Sequence, residues 1–348
     1  MQHQKMSGSG KELRFISYMQ NIGIILVVLG HSFHEYPDGI HGKSTLLYQL
    51  IYSFHMPLFI FISGFLLNLS IIRRKTVKPV SDFLLKKVKR LIIPFVTLTL
   101  VTFIPRSFMS GIADDEIQLT WKMLFASLTD VNHLIIPYFW FIQSIFTLLL
   151  IGFFLLLLKE KIGMKDTLFY VLVVATFGFL PLFFTLETSF FSLNNSCANA
   201  IFFFSGMTYA RYCKPVDSFI KWSSPMMLIL LFLFWVVSFL MFKDSGWMII
   251  VCSMFGIAMT ISLSRILENR HIAILDRLNG AYYIIFLLSW YFNVLCQQVL
   301  SHFTDFPWWI YSMMSLVSGV YVPLVIYRYI RRHPASHLAV IARRFLGQ

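Results

Sequence analysis

Two imidazoles sit inside stretches otherwise fit only for hydrocarbon: His31 in NIGIILVVLGHSF and His55 in QLIYSFHMPLFIFISGFLL. Burying an ionisable group in a membrane span costs a few kcal/mol or more, so such a residue marks a candidate site for proton transfer or substrate binding. The alternative is a ring that only hydrogen-bonds a neighbouring helix. Two histidines on consecutive spans favour function. Glu35 follows His31 by four residues, which on a continuous helix would set a carboxylate beside the ring and fix its tautomer. If the helix stops before Tyr36–Pro37, Glu35 points into water instead. Gly30 and Gly64 supply small surfaces where a helix, or a slender ligand, can come close.

A second constellation is basic. Arg73 and Arg74 open a loop over 73–90 that closes on FLLKKVKRLIIPF, with Lys86, Lys87, Lys89 and Arg90 immediately before Pro94. Lysine and arginine are the usual partners of phosphate, so this loop is a candidate seat for a phosphate-bearing ligand. It could equally bind anionic lipid or fix topology. A third, weaker set comprises Arg106, Asn132–His133, Tyr138, Trp140, Gln143, Asn194, Asn195 and Asn199, which could line a carbohydrate site or serve as interface anchors. Arg106, Trp140 and Asn195 are its candidate substrate contacts. There is no P-loop, no G-x-G-x-x-G, no H-E-x-x-H and no metal-ligand spacing, and Cys197, Cys213, Cys252 and Cys296 are scattered.

The elements that position these residues follow from composition. Of 348 residues, 57% are hydrophobic and only 13% charged, with a mean hydropathy of +0.72. That pattern predicts an all-α, polytopic integral membrane protein and excludes an ordinary soluble domain. Apolar runs predict about ten transmembrane helices, near 15–33, 47–70, 91–109, 134–158, 167–186, 196–212, 224–242, 246–264, 279–300 and 308–329. The sixth is the weakest, being short and carrying Asn199, Ser205, Gly206 and Thr208. The net charge of +13 would suggest nucleic acid in a soluble chain. Here, all of the 29 basic residues except Lys43, Arg106, Lys122 and Lys243 fall on one side of the expected membrane. By the positive-inside rule that side is cytoplasmic and holds both termini, so the partner of the charge is membrane lipid and no nucleic acid is expected.

The expected organisation is a cytoplasmic N-terminus over 1–14 with no cleaved signal, one membrane domain over 15–330, and a basic cytoplasmic tail over 331–348. RRHPASHLAVIARRFLGQ in that tail predicts a short amphipathic helix on the inner leaflet. At about 1.5 Å per residue His31 lies roughly 25 Å along its helix from Arg14, near the outer boundary.

GIILVVLGHS, FHMPLFIFISGFLL and KKVKRLIIPF together resemble the membrane-bound acyltransferase family 3, especially its sugar O-acetyltransferase branch. PYFWFIQSIF, NAIFFFSGMTYAR and LDRLNGAYYIIFLLSWYF are similar to later segments of that family. The resemblance implies transfer of an acetyl or other acyl group from cytosolic acyl-CoA, acetyl-CoA first, to a hydroxyl of an extracytoplasmic or lipid-linked glycan, in a bacterial cell membrane. Acetyl-CoA would be a donor substrate, with no cofactor bound. His31 matches the family's first-helix histidine, the candidate catalytic residue, and Lys87 and Arg90 match its paired basic motif, with lysine where arginine is usual. Three positions depart from the pattern: Gln20 stands where an arginine is common, Ser17 where an acid is common, and Trp290 where a histidine is frequent. A rival reading is a transporter or flippase of a glycan precursor, with the histidines as proton relays. No internal repeat supports it.

Overall fold

The computed structural model describes residues 2–33, 45–74, 79–108, 119–183, 186–242, 248–303 and 306–347. It is 85% helical, with no strand among the described residues. Helix is what so apolar a chain has to form, because lipid offers no partner to a backbone amide or carbonyl and each segment must satisfy its own.

The first expected span is α1 (Gln2–Ser32), and the second is two helices, α2 (Leu46–Tyr52) and α3 (His55–Arg74). The third is α4 (Val80–Lys87), a π turn (Val88–Ile92) and α5 (Ile93–Phe108). After the short α6 (Trp121–Thr129) come α7 (Trp140–Ile162), α8 (Asp166–Phe183), α9 (Leu193–Phe219), α10 (Pro225–Phe242) and α11 (Met248–Leu267). The series ends with α12 (Ala273–Arg277), α13 (Tyr282–Phe303), α14 (Trp308–Arg332) and the tail helix α15 (His337–Phe345). Among the described residues, 8 helical regions are long and apolar enough to cross a membrane. The regions of α8 and α9 are not among them. The apolar run in α8, Asp166–Phe179, is shorter, and α9 carries Asn194, Asn195, Asn199 and Ser205.

Two expectations need correction. The second span is not one helix, because it breaks at Ser53–Phe54. Nor do Lys86, Lys87, Lys89 and Arg90 lie on a loop: they ride on α4 and the π turn. The reason is local, since this segment has an apolar side to bury. Phe83 is buried and stacks on Phe153 of α7 at 3.9 Å between ring centres.

The chain divides into two compact units. In the first, residues 1–62 with 213–339, α1 packs against α11, α13 and α14 and buries Phe15, Tyr18, Ile24, Val27 and Val28. A Cβ at Gly319 of α14 would stand 2.9 Å from Val28 Cγ1, so a small residue lets these helices close up. In the second, residues 63–212 with 340–348, Gly64 of α3 lies against the backbone carbonyl of Phe203 of α9. A Cβ at Gly152 of α7 would stand 3.1 Å from Leu67 and 2.7 Å from the Phe203 ring. Asn68 ties three helices, donating to the Tyr170 hydroxyl of α8 (2.7 Å) and the Met207 carbonyl of α9 (2.6 Å).

Gly64 therefore serves helix packing. Gly64→Ala sets a methyl against rigid backbone and is expected to destabilise by about 1–3 kcal/mol. Gly178→Ala meets only the flexible end of Ile201 at 3.2 Å and should be tolerated. Thermal unfolding midpoints of the two variants in detergent would separate these outcomes.

Candidate functional site

His31 is the second-last residue of α1, and the structure gives it a defined neighbourhood within the first unit. Pro57 creates that neighbourhood. Proline has no amide and its ring crowds the carbonyl four residues back, so it breaks the helix at Ser53. A bare carbonyl in this setting needs a donor, and the Ser253 hydroxyl of α11 supplies one to the Ser53 oxygen at 2.7 Å. The Trp235 indole of α10 donates to Ser53 Oγ at 3.2 Å, and Gly256 leaves room for the Phe54 ring. The break also opens the Ile51 carbonyl to a side chain. His55, buried at the start of α3, donates from Nδ1 to it at 2.8 Å, which sets the tautomer and leaves the Nε2 lone pair.

Tyr52, the last residue of α2, joins the two imidazoles. Its ring meets His55 edge-on at 4.7 Å and His31 at 6.3 Å between centres, and its hydroxyl lies 3.4 Å from His31 Nδ1. A Cβ at Gly30 would come within 3.0 Å of the Tyr52 ring, so glycine there admits the tyrosine against α1. The His31 ring is half-buried, with Nε2 enclosed. Glu35 lies outside the described residues.

Both ends of the membrane-crossing stretch of α1, Arg14–Ser32, are held by polar groups. At the His31 end, the Gln297 amide of α13 donates to the Ser32 carbonyl at 3.1 Å and to Ser315 Oγ of α14 at 3.2 Å. The side-chain amide of Asn293, one turn earlier on α13, lies 2.8 Å from the Ser315 carbonyl and 3.2 Å from the Ser289 carbonyl, two acceptors that call for its NH2 group. At the other end, Arg14 pairs with Asp276 at 3.6 Å and contacts His271. The Tyr18 hydroxyl reaches Asp276 at 2.9 Å, and Asn21 donates to the Leu275 carbonyl and to Asn279. Gln20 is buried, and Trp290 meets Tyr291 edge-on.

The second unit carries the basic candidates. Lys86, Lys89 and Arg90 are exposed, and Lys87 lies with its ammonium 5.5 Å from the centre of the Phe83 ring. The π turn has a covalent cause. The Ile93 amide bonds back five residues to the Val88 carbonyl, and Pro94 has no amide, so neither position serves the Lys89 carbonyl. Arg73 and Arg74 are exposed at the end of α3. Just before them, Ile71 and Ile72 line a cavity of about 560 Å³ with Asn68, Lys159, Asp166, Tyr170 and Arg211. Burial opposes ionisation of Asp166, but hydrogen bonds from Lys159 and Arg211 outweigh it and hold the carboxyl below its usual range.

The substrate candidates of the second unit are each engaged with protein. Arg106 donates to the Ile135 carbonyl at 3.0 Å, and Asn195 donates to Ser192 Oγ at 2.9 Å beside the left-handed residues Phe191 and Ser192. Trp140 opens α7, half-buried, edge-on to Phe141. Nearby, Asp130 pairs with His133 at 3.2 Å, and the backbone N–H of Asn132 draws its carboxyl below the ordinary value.

Sequence reasoning missed Tyr52, Ser253, the Asn293–Gln297 pair and the Asp276 anchor. Two amides four residues apart in the apolar run of α13 were a readable signal, since buried amides need partners.

Ser253→Ala should strand the Ser53 carbonyl and destabilise by about 1–3 kcal/mol. Pro57→Ala returns an amide to that carbonyl, so it should offset the loss in the double variant. Denaturation in detergent of the two single variants and the double variant checks this, and strict additivity would contradict the account of the break.

The family model of the acyltransferase domain, acyltransferase family 3, matches residues 13–328. No curated protein and no solved structure matches the chain.

Proposed function

The chain belongs to acyltransferase family 3, and from that premise we propose that this multi-pass membrane acyltransferase is an O-acetyltransferase of the sugar-modifying branch. It would take acetyl from cytosolic acetyl-CoA and place it on a hydroxyl of an extracytoplasmic or lipid-linked glycan, in the cell membrane of a bacterium with both termini inside. The observation that carries the reading is the cluster of His31, Tyr52 and His55 at one end of α1, whose membrane-crossing stretch is held at Arg14 and at Ser32.

In this reading His31 is the general base. Its neutral imidazole accepts the proton of the glycan hydroxyl as the oxygen attacks the thioester carbonyl. The carbon–sulfur bond then breaks, and the departing thiolate takes the proton from the imidazolium, leaving ester and free CoA. Such proton transfer contributes typically 10² to 10⁴ in rate. Tyr52, whose hydroxyl faces Nδ1, orients the ring. His55 spends its N–H on the Ile51 carbonyl and so acts as a positioning residue for Tyr52. Glu35 is a further candidate to hold the His31 tautomer.

The donor's phosphates fall to Lys86, Lys87, Lys89 and Arg90, with Arg73 and Arg74 as outlying cations. Arginine and lysine suit phosphate by charge and by donor number. Arg106, Trp140 and Asn195 are assigned to the acceptor side.

His31→Ala should lower transfer of labelled acetyl from acetyl-CoA to glycan in membrane vesicles by about 10²-fold or more, at unchanged expression. Arg90→Ala should instead raise the KM for acetyl-CoA with a smaller effect on kcat. Near-normal acetylation by His31→Ala would move the chemistry elsewhere, and uptake of glycan without covalent transfer would make the protein a carrier.

A further inference from the structure

The tail helix α15 turns its apolar side outward. Leu338, Ile341 and Phe345 share one stripe and are 69%, 50% and 50% exposed, whereas Ala339 on the other face is fully buried. Arg344 in the same helix and Arg331 and Arg332 just before it are exposed. Outward apolar groups beside arginines fit the boundary between acyl chains and anionic headgroups. Proximity agrees: α14 is itself a candidate membrane span that ends at Arg332, only a short turn before α15 begins at His337.

Beyond α15 the chain turns back into the protein. Leu346 is buried, and Gly347 takes left-handed backbone at φ 65°. A Cβ at 347 would lie 2.6 Å from the Lys89 carbonyl oxygen, 2.9 Å from Pro94 Cγ and 3.0 Å from Arg90 Cα. The tail thus packs against the π turn at the very carbonyl that Pro94 and the Val88–Ile93 bond leave without an amide of its own helix. Only glycine fits there, both for its backbone and for its lack of a side chain.

We infer that α15 senses anionic lipid and braces the basic π turn through Gly347. When Leu338, Ile341 and Phe345 enter the headgroup boundary and the arginines meet lipid phosphates, the tail holds the turn that presents Lys89 and Arg90. When the helix lifts, the turn loosens. The consequence for acetyl-CoA rests on the donor assignment above; the brace itself does not.

The test is amide hydrogen exchange on the full chain in nanodiscs of phosphatidylcholine, with and without one third phosphatidylglycerol. Exchange over 337–345 should slow in the anionic discs by about fivefold for each arginine engaged. R331E/R332E/R344E should abolish that difference. Gly347→Ala should leave 337–345 protected in anionic discs yet speed exchange over 88–93, and raise the KM for acetyl-CoA. Equal exchange of 337–345 in both discs, or no change over 88–93 in Gly347→Ala, would overturn the inference. If exchange over 88–93 responds while KM does not, the brace stands and the donor assignment fails.

Discussion

A backbone carbonyl in lipid must find a donor, and this chain is shaped by where two prolines take donors away. Pro57 removes the amide that would serve Ser53, and the vacancy is filled by a hydroxyl from α11. Pro94 removes an amide one turn beyond the basic cluster, and the helix answers with a π turn and a close approach from the tail. Each irregularity coincides with a candidate site. The coincidence has a cause, because a carbonyl that has lost its usual amide four residues on has more acceptor capacity left for a side chain such as His55.

The first break sets chemistry through the tautomer. In an unbroken helix the Ile51 carbonyl would accept the backbone amide of residue 55, and the imidazole would be free to hold its proton on either nitrogen. With the helix parted, the carbonyl takes Nδ1–H, and His55 is locked into one tautomer against the Tyr52 ring. Tyr52 in turn lies close on α1 where residue 30 has no side chain. His31 is thus placed by a chain of contacts beginning at a proline twenty-six residues downstream.

Much of this is legible in the sequence and some is not, for definite reasons. Apolar runs reveal the helices, since lipid forces the period, and the isolated histidines stand out against hydrocarbon. Hydropathy does not reveal the interruption of the second span, although Pro57 sits in plain view, because an average over a span is blind to one missing amide. The basic cluster reads as a loop because its charges outweigh Phe83, whose stacking on Phe153 makes the segment a helix face. The cavity beside Lys159, Asp166 and Arg211 is illegible: its residues lie as far apart as Asn68 and Arg211, and only the packing of α3, α7, α8 and α9 gathers them.

The departures from the family pattern gain a physical meaning from the same packing. Where an arginine is common, Gln20 is buried and uncharged, and the nearest cation on this helix is Arg14, almost two turns nearer its start. Arg14 is engaged by Asp276 and His271, and Tyr18 and Asn21 reinforce that contact from the same helix. A guanidinium held by a carboxylate has less to offer a phosphate than an exposed one. In the proposed reading α1 therefore contributes the imidazole and a rigid mount for it, and recognition of the donor's charge shifts to Lys86, Lys87, Lys89 and Arg90, three of which face outward.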